Sequence, residues 1–238
     1  FGSCRHKLKD FNVNKREYRR LIDVFQAHNI GYFFYNGGGD SQDTTNKIAQ
    51  YTVDAGFPVT CIGIPKTIDN DLPFTDNCPG FGSVAKYIAT STKEAALDVK
   101  SMSKSSTKVF ILEVMGRHAG WLAASAGLAK SKENSAPHII LLPEVPFNEK
   151  AFLKKVKEVV NKEGYCVIVV SEGTQYANGK FLADSGSVDS FGHKQLGGVA
   201  PRLAEIINNK LGYKNHWAVS DYLQRSARHI SSKVDLDQ

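Results

Sequence analysis

The chain has 238 residues, of which 42% are hydrophobic and 23% charged, and its formal net charge is +6. This composition is that of an ordinary globular protein, and no apolar run reaches the length that spans a bilayer, so a membrane protein is not expected. The basic residues form no block and do not interleave with aromatic residues, which argues against nucleic acid as a partner and suits a smaller anion such as a phosphate ester.

The cysteines and the start of the chain bear on where the protein resides. Cys4, Cys61, Cys78 and Cys166 are scattered without CxxC spacing, which favours a reducing, cytoplasmic location over secretion. Cys61 and Cys166 fall within apolar runs, so we expect buried free thiols at both positions. The chain begins with Phe1 and shows no signal-peptide pattern, and we expect it to be a piece of a longer protein.

Short apolar runs alternate with amphipathic stretches along the chain. The predicted strands are 30–36, 58–64, 108–115, 138–144 and 165–172, and helices are predicted near 15–28, 41–55, 82–104, 119–131, 149–163 and 195–211. The runs lack polar alternation, as expected for parallel strands covered on both faces. This order predicts an α/β protein with helices packed on a mostly parallel sheet. The Gly-, Ser- and Asp-rich stretch 178–192 is predicted to be a flexible loop.

A glycine-rich or polar loop follows each predicted strand, and the first is NGGGDSQD at 36–43. In open α/β sheets, ligands bind beyond the carboxyl ends of the strands, so five such loops together indicate a binding crevice. Gly38 and Gly39 leave backbone N–H groups open to an anion at the start of a helix. Ser41 is predicted to cap that helix, and Asp40 and Asp43 suit its first turn. The run matches neither GxGxxG nor GxxxxGK[ST], so dinucleotide and P-loop sites find no support.

The second loop, PKTIDND at 65–71, carries the residue types that phosphoryl transfer requires. Lys66 can screen phosphate oxygens and Thr67 can donate a hydrogen bond, while Asp69 and Asp71 can divide the roles of base and metal partner. The structural alternative is a turn whose acids cap the helix that begins near Gly82. An EF-hand is excluded because the spacing lacks its glycine and terminal glutamate.

Three further motifs supply cations and a carboxylate. MGRHAG at 115–120 places Arg117, whose guanidinium suits a phosphate, at a junction between a strand and a helix. SEG at 171–173 contributes Glu172, and YLQR at 222–225 contributes a second arginine. Packing or local capping is favoured over a role as base for His118.

The succession GGGDS, PKTIDND, EVMGRHAGW, PEVPF, SEG, LGG and YLQRS resembles the phosphofructokinase family over essentially the whole chain. The resemblance implies two Rossmann-like three-layer α/β/α domains with mostly parallel sheets and an active site in the crevice between them. It implies Mg²⁺-dependent phosphoryl transfer to the 1-hydroxyl of fructose 6-phosphate, a reaction of glycolysis. We predict a donor phosphate-binding domain at 1–81, a fructose 6-phosphate-binding domain at 82–223, and a return of 224–238 to the first domain. The family's first strand would precede Phe1, and more sequence is expected beyond Gln238.

The resemblance also implies roles for individual residues. Asp69 resembles the family's catalytic base, with Thr67, Asp71 and Lys66 beside the transferred group. The residues expected at the donor phosphates are Gly38, Gly39, Asp40, Ser41, Lys66 and Arg5. Those expected at the sugar phosphate are Thr67, Ile68, Asp69, Met115, Gly116, Arg117, Glu172, Tyr222 and Arg225.

Two positions bear on the phosphoryl donor. Members that use ATP typically have glycine where Lys66 stands and a glycine at the position of Asp40. A lysine fills the space of a nucleotide and adds a cation for a compact polyanion, and the Asp40 carboxylate would repel an α-phosphate. Both residues are the pattern of the pyrophosphate-dependent members, which run the reaction in either direction. The alternatives are an ATP-dependent 6-phosphofructokinase and a non-catalytic regulatory subunit of the same fold.

Three positions depart from the family's pattern. The family's metal-side acid falls on Gly39, so Asp40 or Asp43 is the candidate replacement. Arginines of the family, one of them usually lent by a neighbouring subunit, fall on Lys108 and His216. Lysine keeps the charge but loses the bidentate fork, and a histidine is only partly charged near neutrality. The resemblance implies a homo-oligomer, a dimer or a tetramer, with sites completed across subunits.

Overall fold

The computed structural model describes residues 6–188, 194–196 and 198–237. Their contacts divide the chain into two compact units, Phe1–Lys66 and Thr67–Gln238. The predicted division of the whole protein between residues 81 and 82 stays a prediction, since these units reflect contacts within this chain. Ile68 packs into a core cluster of the second unit, and Asp235 bonds to the start of a helix in that same unit. The loop that contains Ile68 and the last helix therefore belong to the second unit, and so does the segment 224–237.

The first unit contains two helices and two strands. In chain order they are α1 (Lys15–Ala27), β1 (Tyr32–Gly37), α2 (Gly39–Asp54) and β2 (Thr60–Pro65). β1 and β2 are parallel neighbours, with Phe34 opposite Ile62. The core of this unit is formed by residues from both helices and the segments beside them: Leu8, Tyr18, Ile22, Phe25, Ile48 and Val59.

One face of this two-stranded sheet is covered and the other is exposed within the chain. Tyr32 and Phe34 of β1 are 68% and 60% exposed, and Ile62 and Ile64 of β2 are 40% and 45% exposed. Burial alternates along both strands, because successive side chains point to opposite faces. The prediction that the strands are covered on both faces is therefore wrong for β1 and β2 in this chain.

The second unit is a three-layer α/β/α arrangement around a four-stranded parallel sheet. Its helices are α3 (Phe81–Met102), α4 (Trp121–Ser125), α5 (Glu149–Glu163), α6 (Val199–Leu211), α7 (Asp221–Arg225) and α8 (Lys233–Asp237). Its strands are β3 (Val109–Val114), β4 (Ile139–Leu141), β5 (Cys166–Ser171), β6 (Asp184–Val188), β7 (Lys194–Leu196) and β8 (Asn215–Val219). The sheet has the order β4-β5-β3-β8 with parallel pairs.

Two apolar cores cover the two faces of this sheet. Ile111 and Ile168 face the core formed with α5 and α6. Leu112 and Val169 face the core formed with α3 and α4. β5 is buried along its whole length, which is what a run of apolar residues without alternation predicts for a central strand. The predicted α/β class with parallel sheets is confirmed.

The sequence pattern missed β8 and the hairpin of β6 and β7. β8 lies at the edge of the sheet and begins with Asn215 and His216, so it lacks the apolar run of a central strand. Asp184–Val188 pairs antiparallel with Lys194–Leu196, so the predicted loop over 178–192 is wrong for that part; 189–193 lie outside the described residues.

The predicted burial of the cysteines is confirmed in part. Cys166 is buried as predicted, whereas Cys61 is only half-buried, because β2 has one covered face. Burial raises the pKa of the Cys166 thiol to about 12. Cys4 lies outside the described residues. In the part of the chain that the structure describes, no helix is both long and apolar enough to cross a membrane.

Candidate functional site

The glycine loop joins the carboxyl end of β1 to the amino end of α2. Gly38 is the N-cap of α2, and no side chain caps this helix. Ser41 lies inside the first turn rather than at the cap, so its predicted capping role is wrong. Its hydroxyl packs where a side chain on Gly37 would have to be, which explains why glycine occupies position 37. The Ser41 and Gln42 N–H groups donate to the Gly38 carbonyl at 3.0 and 3.1 Å, and the positive end of the helix that they begin favours an anion.

Lys66 lies over this glycine loop. Its backbone N–H donates to the Gly37 carbonyl at 3.1 Å. Its ammonium nitrogen lies 3.8 Å from the point where a Cβ on Gly38 would stand. The backbone amides of the loop and the ammonium of an exposed lysine therefore lie at one place, as the sequence predicted for a phosphate site.

The acids of the first turn of α2 have nearby lysines. Lys7 Nζ lies 4.0 Å from Asp40 Oδ1, and Lys47 Nζ lies 2.5 Å from Asp43 Oδ2. Asp43 is thereby held along the helix surface, one turn from its partner. Among the described residues, no group of three or more His, Cys, Asp or Glu side chains could hold a metal ion. Asp40 thus remains the nearer of the two candidates to the glycine loop, with a cation already beside it.

The acidic loop after β2 is closed by its own side chains. The Asp69 N–H donates to Thr67 Oγ1 at 3.1 Å. Asn70 has a positive φ of 58°, and its Oδ1 accepts from the Cys78 N–H at 2.8 Å. Asparagine tolerates this left-handed conformation, and its side chain replaces backbone partners. The asparagine between the two aspartates thus shapes the loop, while Ile68 anchors it in the core.

The start of α3, just after this loop, is capped by a distant residue. Asp235 of α8 accepts hydrogen bonds from the Gly80 N–H at 2.9 Å and from the Ser83 N–H and hydroxyl at 2.5 Å. Burial acts against the charged form, but these hydrogen bonds outweigh it and lower the pKa of Asp235. The capping role considered for the acids of the PKTIDND loop is thus filled, at these two amides, by Asp235.

The loop after β3 is fitted tightly against the loop after β5. Gly116 has a φ of 118°, and a Cβ there would stand 2.5 Å from the Ala119 carbonyl oxygen. The Ser171 hydroxyl donates to the Gly116 carbonyl and accepts from the Gly173 N–H at 3.2 Å. A Cβ on Gly173 would lie 2.6 Å from the Arg117 carbonyl carbon. The backbone of Arg117 is therefore held closely by the loop after β5.

Arg117 and Glu172 are oppositely charged residues in the loops after β3 and β5, and the pKa of Glu172 is shifted. Burial raises the pKa of Glu172 to about 7, Arg117 acts in the opposite direction, and Asp69 and Glu113 add to the rise. The structure thus brings Asp69, Arg117 and Glu172 within electrostatic range of one another. The Arg117 Nε is buried and has no hydrogen-bond partner among the described residues. A buried donor of this kind suits a guanidinium that binds an oxygen atom of a ligand.

Tyr222 and Arg225 lie on α7, which follows β8. The guanidinium carbon of Arg225 lies 4.1 Å from the centroid of the Tyr222 ring, a cation–π distance. The side chain between them in the motif, Gln224, is buried at 1% exposure. β3, β5 and β8 are parallel neighbours, so the residues that follow them, including Met115 and Glu172, share one edge of the sheet with α7.

Lys108 and His216 lie at the opposite edge of the same sheet. Lys108 precedes β3, and His216 pairs with Phe110 near the start of β8. Since a strand of six residues rises about 3.3 Å per residue, this edge is about 20 Å from the edge that carries Met115 and Tyr222. Lys108 Nζ donates to the Ser103 carbonyl at 2.5 Å. These two residues are not brought together with the other predicted site residues of this unit.

Sequence reasoning missed several residues that hold the candidate site in place. Gln42 Nε2 donates to the Gly37 carbonyl at 3.0 Å, and Ser171, Gln224 and Asp235 hold the loops of the second unit as described above. Ser171, Gln224 and Asp235 bond partners that are 55, 109 and 155 positions away in the sequence, so residue type and spacing gave no signal for them. Only the place of Ser171 within the SEG motif could have indicated it. Arg5 lies outside the described residues.

An α/β chain whose glycine loop, acidic loop and arginines follow parallel strands is of the class that binds its ligands beyond the strand ends. Residues 1–229 match the phosphofructokinase family. The chain is 63% identical over its whole length to the pyrophosphate–fructose 6-phosphate 1-phosphotransferase of Halomonas elongata and 59% identical to that of Methylococcus capsulatus. The chain belongs to the phosphofructokinase family, as the sequence predicted.

A solved structure is also similar to this chain. The chain superimposes with a TM-score of 0.83 on a pyrophosphate-dependent phosphofructokinase from Marinobacter aquaeolei, with 60% identity. The match covers 100% of this chain and 54% of that one. This chain covers 57% of the length of the Halomonas relative and 57% of the length of the Methylococcus relative. The chain thus spans about half the length of the relatives it matches.

Proposed function

We propose that the complete protein transfers a phosphoryl group from inorganic pyrophosphate to the 1-hydroxyl of fructose 6-phosphate, giving fructose 1,6-bisphosphate and phosphate. The family and the names of the relatives at 63% and 59% identity support this reaction. The reaction is reversible, because the transfer free energy of the anhydride bond that breaks in pyrophosphate is closer to that of the ester bond formed than it would be with ATP as donor. It belongs to glycolysis in the cytoplasm, and the scattered cysteines suit that location.

The single observation that carries the choice of donor is the position of Lys66. Its ammonium lies beside Gly38, so it occupies the space that a nucleotide would need next to the loop amides. At that point it offers a full positive charge to a compact polyanion. Asp40 adds a negative charge in the first turn of α2, which disfavours an α-phosphate and its nucleoside. Gly38, Gly39 and Ser41 complete the proposed donor site through the amides of that turn.

Asp69 is the proposed general base. It accepts the proton of the sugar 1-hydroxyl as that oxygen attacks phosphorus, and the bond from phosphorus to the leaving phosphate breaks. Thr67 and Asp71 lie beside the transferred group in this proposal. Proton transfer of this kind contributes about 10²–10⁴-fold to a rate. The loop geometry supports the assignment, because Thr67 and Asn70 hold the backbone of Asp69 in one conformation.

The acceptor site is proposed at the shared edge of β3, β5 and β8. Arg117 and Glu172 would bind the sugar and its phosphate, helped by Met115 and Gly116 from the same loop and by Ile68. Tyr222 and Arg225 are proposed at the 6-phosphate. The buried Arg117 Nε without a hydrogen-bond partner supports an anionic ligand here.

A magnesium ion suits the acids that this chain offers. Mg²⁺ is held in such enzymes by one or two carboxylates together with phosphate oxygens of the substrate, and it neutralises charge on the transferred group. The described residues contain no three-acid cluster, so phosphate oxygens would supply the remaining ligands. Asp71 is the proposed protein ligand beside the base, and Asp40 is the candidate in the glycine loop.

A homo-oligomer is part of the proposal. Lys108 and His216 lie at the sheet edge away from the proposed acceptor site, and we propose that they serve a site formed with another copy. Whether that copy makes a dimer or a tetramer is to be measured by sedimentation. The division of the whole protein into a donor and an acceptor domain stays a prediction.

The test is turnover of the complete protein with Mg²⁺ and fructose 6-phosphate, with pyrophosphate or ATP offered in turn. Pyrophosphate alone is expected to support the reaction. Turnover with ATP alone would reassign the donor and remove the role of Lys66. Turnover with neither donor would favour the regulatory subunit of the same fold.

A further inference from the structure

Gln224 is a buried polar side chain that joins two parts of the proposed acceptor site. It is 1% exposed. Its Oε1 accepts from the Met115 N–H at 3.3 Å, and its Nε2 donates to the Asp221 carbonyl at 3.0 Å. Both polar atoms of the amide are thus used, one toward the loop after β3 and one within α7. A buried amide with both ends satisfied fixes the groups that it bonds.

The bond to Met115 extends the pairing of β3 and β8 beyond the end of the strands. The Ser220 N–H donates to the Glu113 carbonyl at 3.0 Å, which is the last backbone contact of that pairing. β8 then turns into α7, and the side chain of Gln224 takes the place of the next backbone acceptor. α7 has only five residues, so it depends on such contacts rather than on its own hydrogen bonds for its position.

Gln224 also lines the two cavities on either side of it. One, of about 170 Å³, is lined by Met115, Glu172 and Asp221 as well. The other, of about 220 Å³, is lined by Ile68 and Arg225 as well. The first contains residues proposed at the sugar, and the second contains the arginine proposed at the 6-phosphate. Gln224 thus lines both cavities.

We propose that Gln224 is a positioning residue that sets the distance between the sugar contacts of the Met115 loop and the 6-phosphate contact of Arg225. It acts through these residues and does not touch the substrate. This inference rests on the proposed function. Since a misplacement of about 1 Å can cost as much as 10²-fold, loss of the bridge affects fructose 6-phosphate far more than pyrophosphate.

The experiment compares Gln224→Met and Gln224→Glu in the complete protein. Methionine keeps the volume but removes both hydrogen bonds, and glutamate keeps an acceptor for the Met115 N–H. We expect Gln224→Met to raise the KM for fructose 6-phosphate about tenfold or more and the KM for pyrophosphate less than twofold. Gln224→Glu is expected to recover a large part of the loss.

Gln175→Met is the matched control. Gln175 is half-buried and its Nε2 donates to the Pro143 carbonyl at 3.4 Å, so the same substitution removes a similar hydrogen bond elsewhere in the unit. Its KM values are expected to stay unchanged. Hydrogen exchange of the Met115 amide is expected to accelerate in Gln224→Met and not in the control.

The outcomes separate the two proposals. An unchanged KM for fructose 6-phosphate in Gln224→Met, or an equal rise for both substrates, would overturn the positioning role. If Gln224→Met does not fold, Gln224→Leu, which also lacks both hydrogen-bonding groups, carries the same measurement. If the wild type shows no turnover, the proposed function fails, and calorimetric binding of fructose 6-phosphate then decides for Gln224. Wild type that binds no fructose 6-phosphate overturns both.

Discussion

Gly173 is the position at which the fit between the loops after β3 and β5 can be tested most directly. A Cβ at this position would lie 1.9 Å from the carbonyl oxygen of Arg117, 2.6 Å from its carbonyl carbon and 2.9 Å from its Cα. Carbon atoms that are not bonded are comfortable at about 3.5–4.0 Å. These nearest atoms are backbone atoms, which cannot rotate away, so in Gly173→Ala one loop must move by at least about 1 Å relative to the other.

The expected result is a defect in the use of fructose 6-phosphate. A shift of about 1 Å displaces Arg117, and misplacement on that scale costs as much as 10²-fold. We therefore expect the KM for fructose 6-phosphate to rise about 10–100-fold, with the KM for pyrophosphate changed less than twofold. Overpacking of this kind also costs about 1–3 kcal/mol of stability, which will lower the melting temperature.

The assay is steady-state kinetics of the complete protein with each substrate varied in turn, together with a melting curve. Gly127→Ala is the matched control, because the nearest atom to its Cβ, Ile140 Cδ1, would be 3.9 Å away. Both kinetic constants of that variant are expected to stay at the wild-type level. A Gly173→Ala protein with wild-type KM and melting temperature would refute the claim that these loops fix Arg117.

Three further predictions concern individual side chains. Lys66→Gly is expected to raise the KM for pyrophosphate at least about tenfold, measured by steady-state kinetics, and to leave that for fructose 6-phosphate nearly unchanged, because the lost ammonium serves the donor; equal effects on both would contradict this. Asp69→Asn keeps the shape of the base and should lower kcat by about 10²–10⁴-fold with a normal melting curve; full activity would remove Asp69 as the base. Glu172→Gln tests the raised pKa of about 7 for the Glu172 carboxyl. A carboxyl group whose pKa is raised in the folded protein contributes stability below its unfolded pKa, and this stability is lost as the pH rises through the folded pKa. The wild type should therefore lose up to about 2–3 kcal/mol of stability relative to the variant between pH 5 and pH 8. Parallel melting temperatures of the two proteins across that range would show that Glu172 titrates normally.

The sequence was informative where chemistry and spacing coincide. Lys66 and Gly38 are predicted together because a cation and open amides both follow strands, and the structure places them side by side. The role of Asp69 as the base stays a prediction, and the structure shows that Thr67 accepts a hydrogen bond from its N–H. Gln224 and Asp235 were not, since Gln224 bonds a residue 109 positions away and Asp235 one 155 positions away. Such contacts depend on how the elements pack and leave no local pattern.

The strands show the same limit. A central strand such as β5 must be apolar on both faces, so its sequence reveals it. β8 lies at an edge and needs apolar residues only in part, and Asn215 and His216 at its start concealed it. The unit boundary at Lys66 and Thr67 also has no composition signal, because it falls inside the PKTIDND motif.

The bond from Asp235 to the start of α3 has a consequence for how substitutions in this family are read. Ser83 and Asp235 are separated by 152 positions, yet they are hydrogen-bonded to each other at the start of α3, which follows the loop that carries the proposed base. A change at position 235 that removes the carboxylate leaves the Gly80 and Ser83 amides without their acceptor. Among relatives, the identities of positions 83 and 235 should therefore vary together. A defect that maps near the end of this chain can then have its origin in the same loop as Asp69.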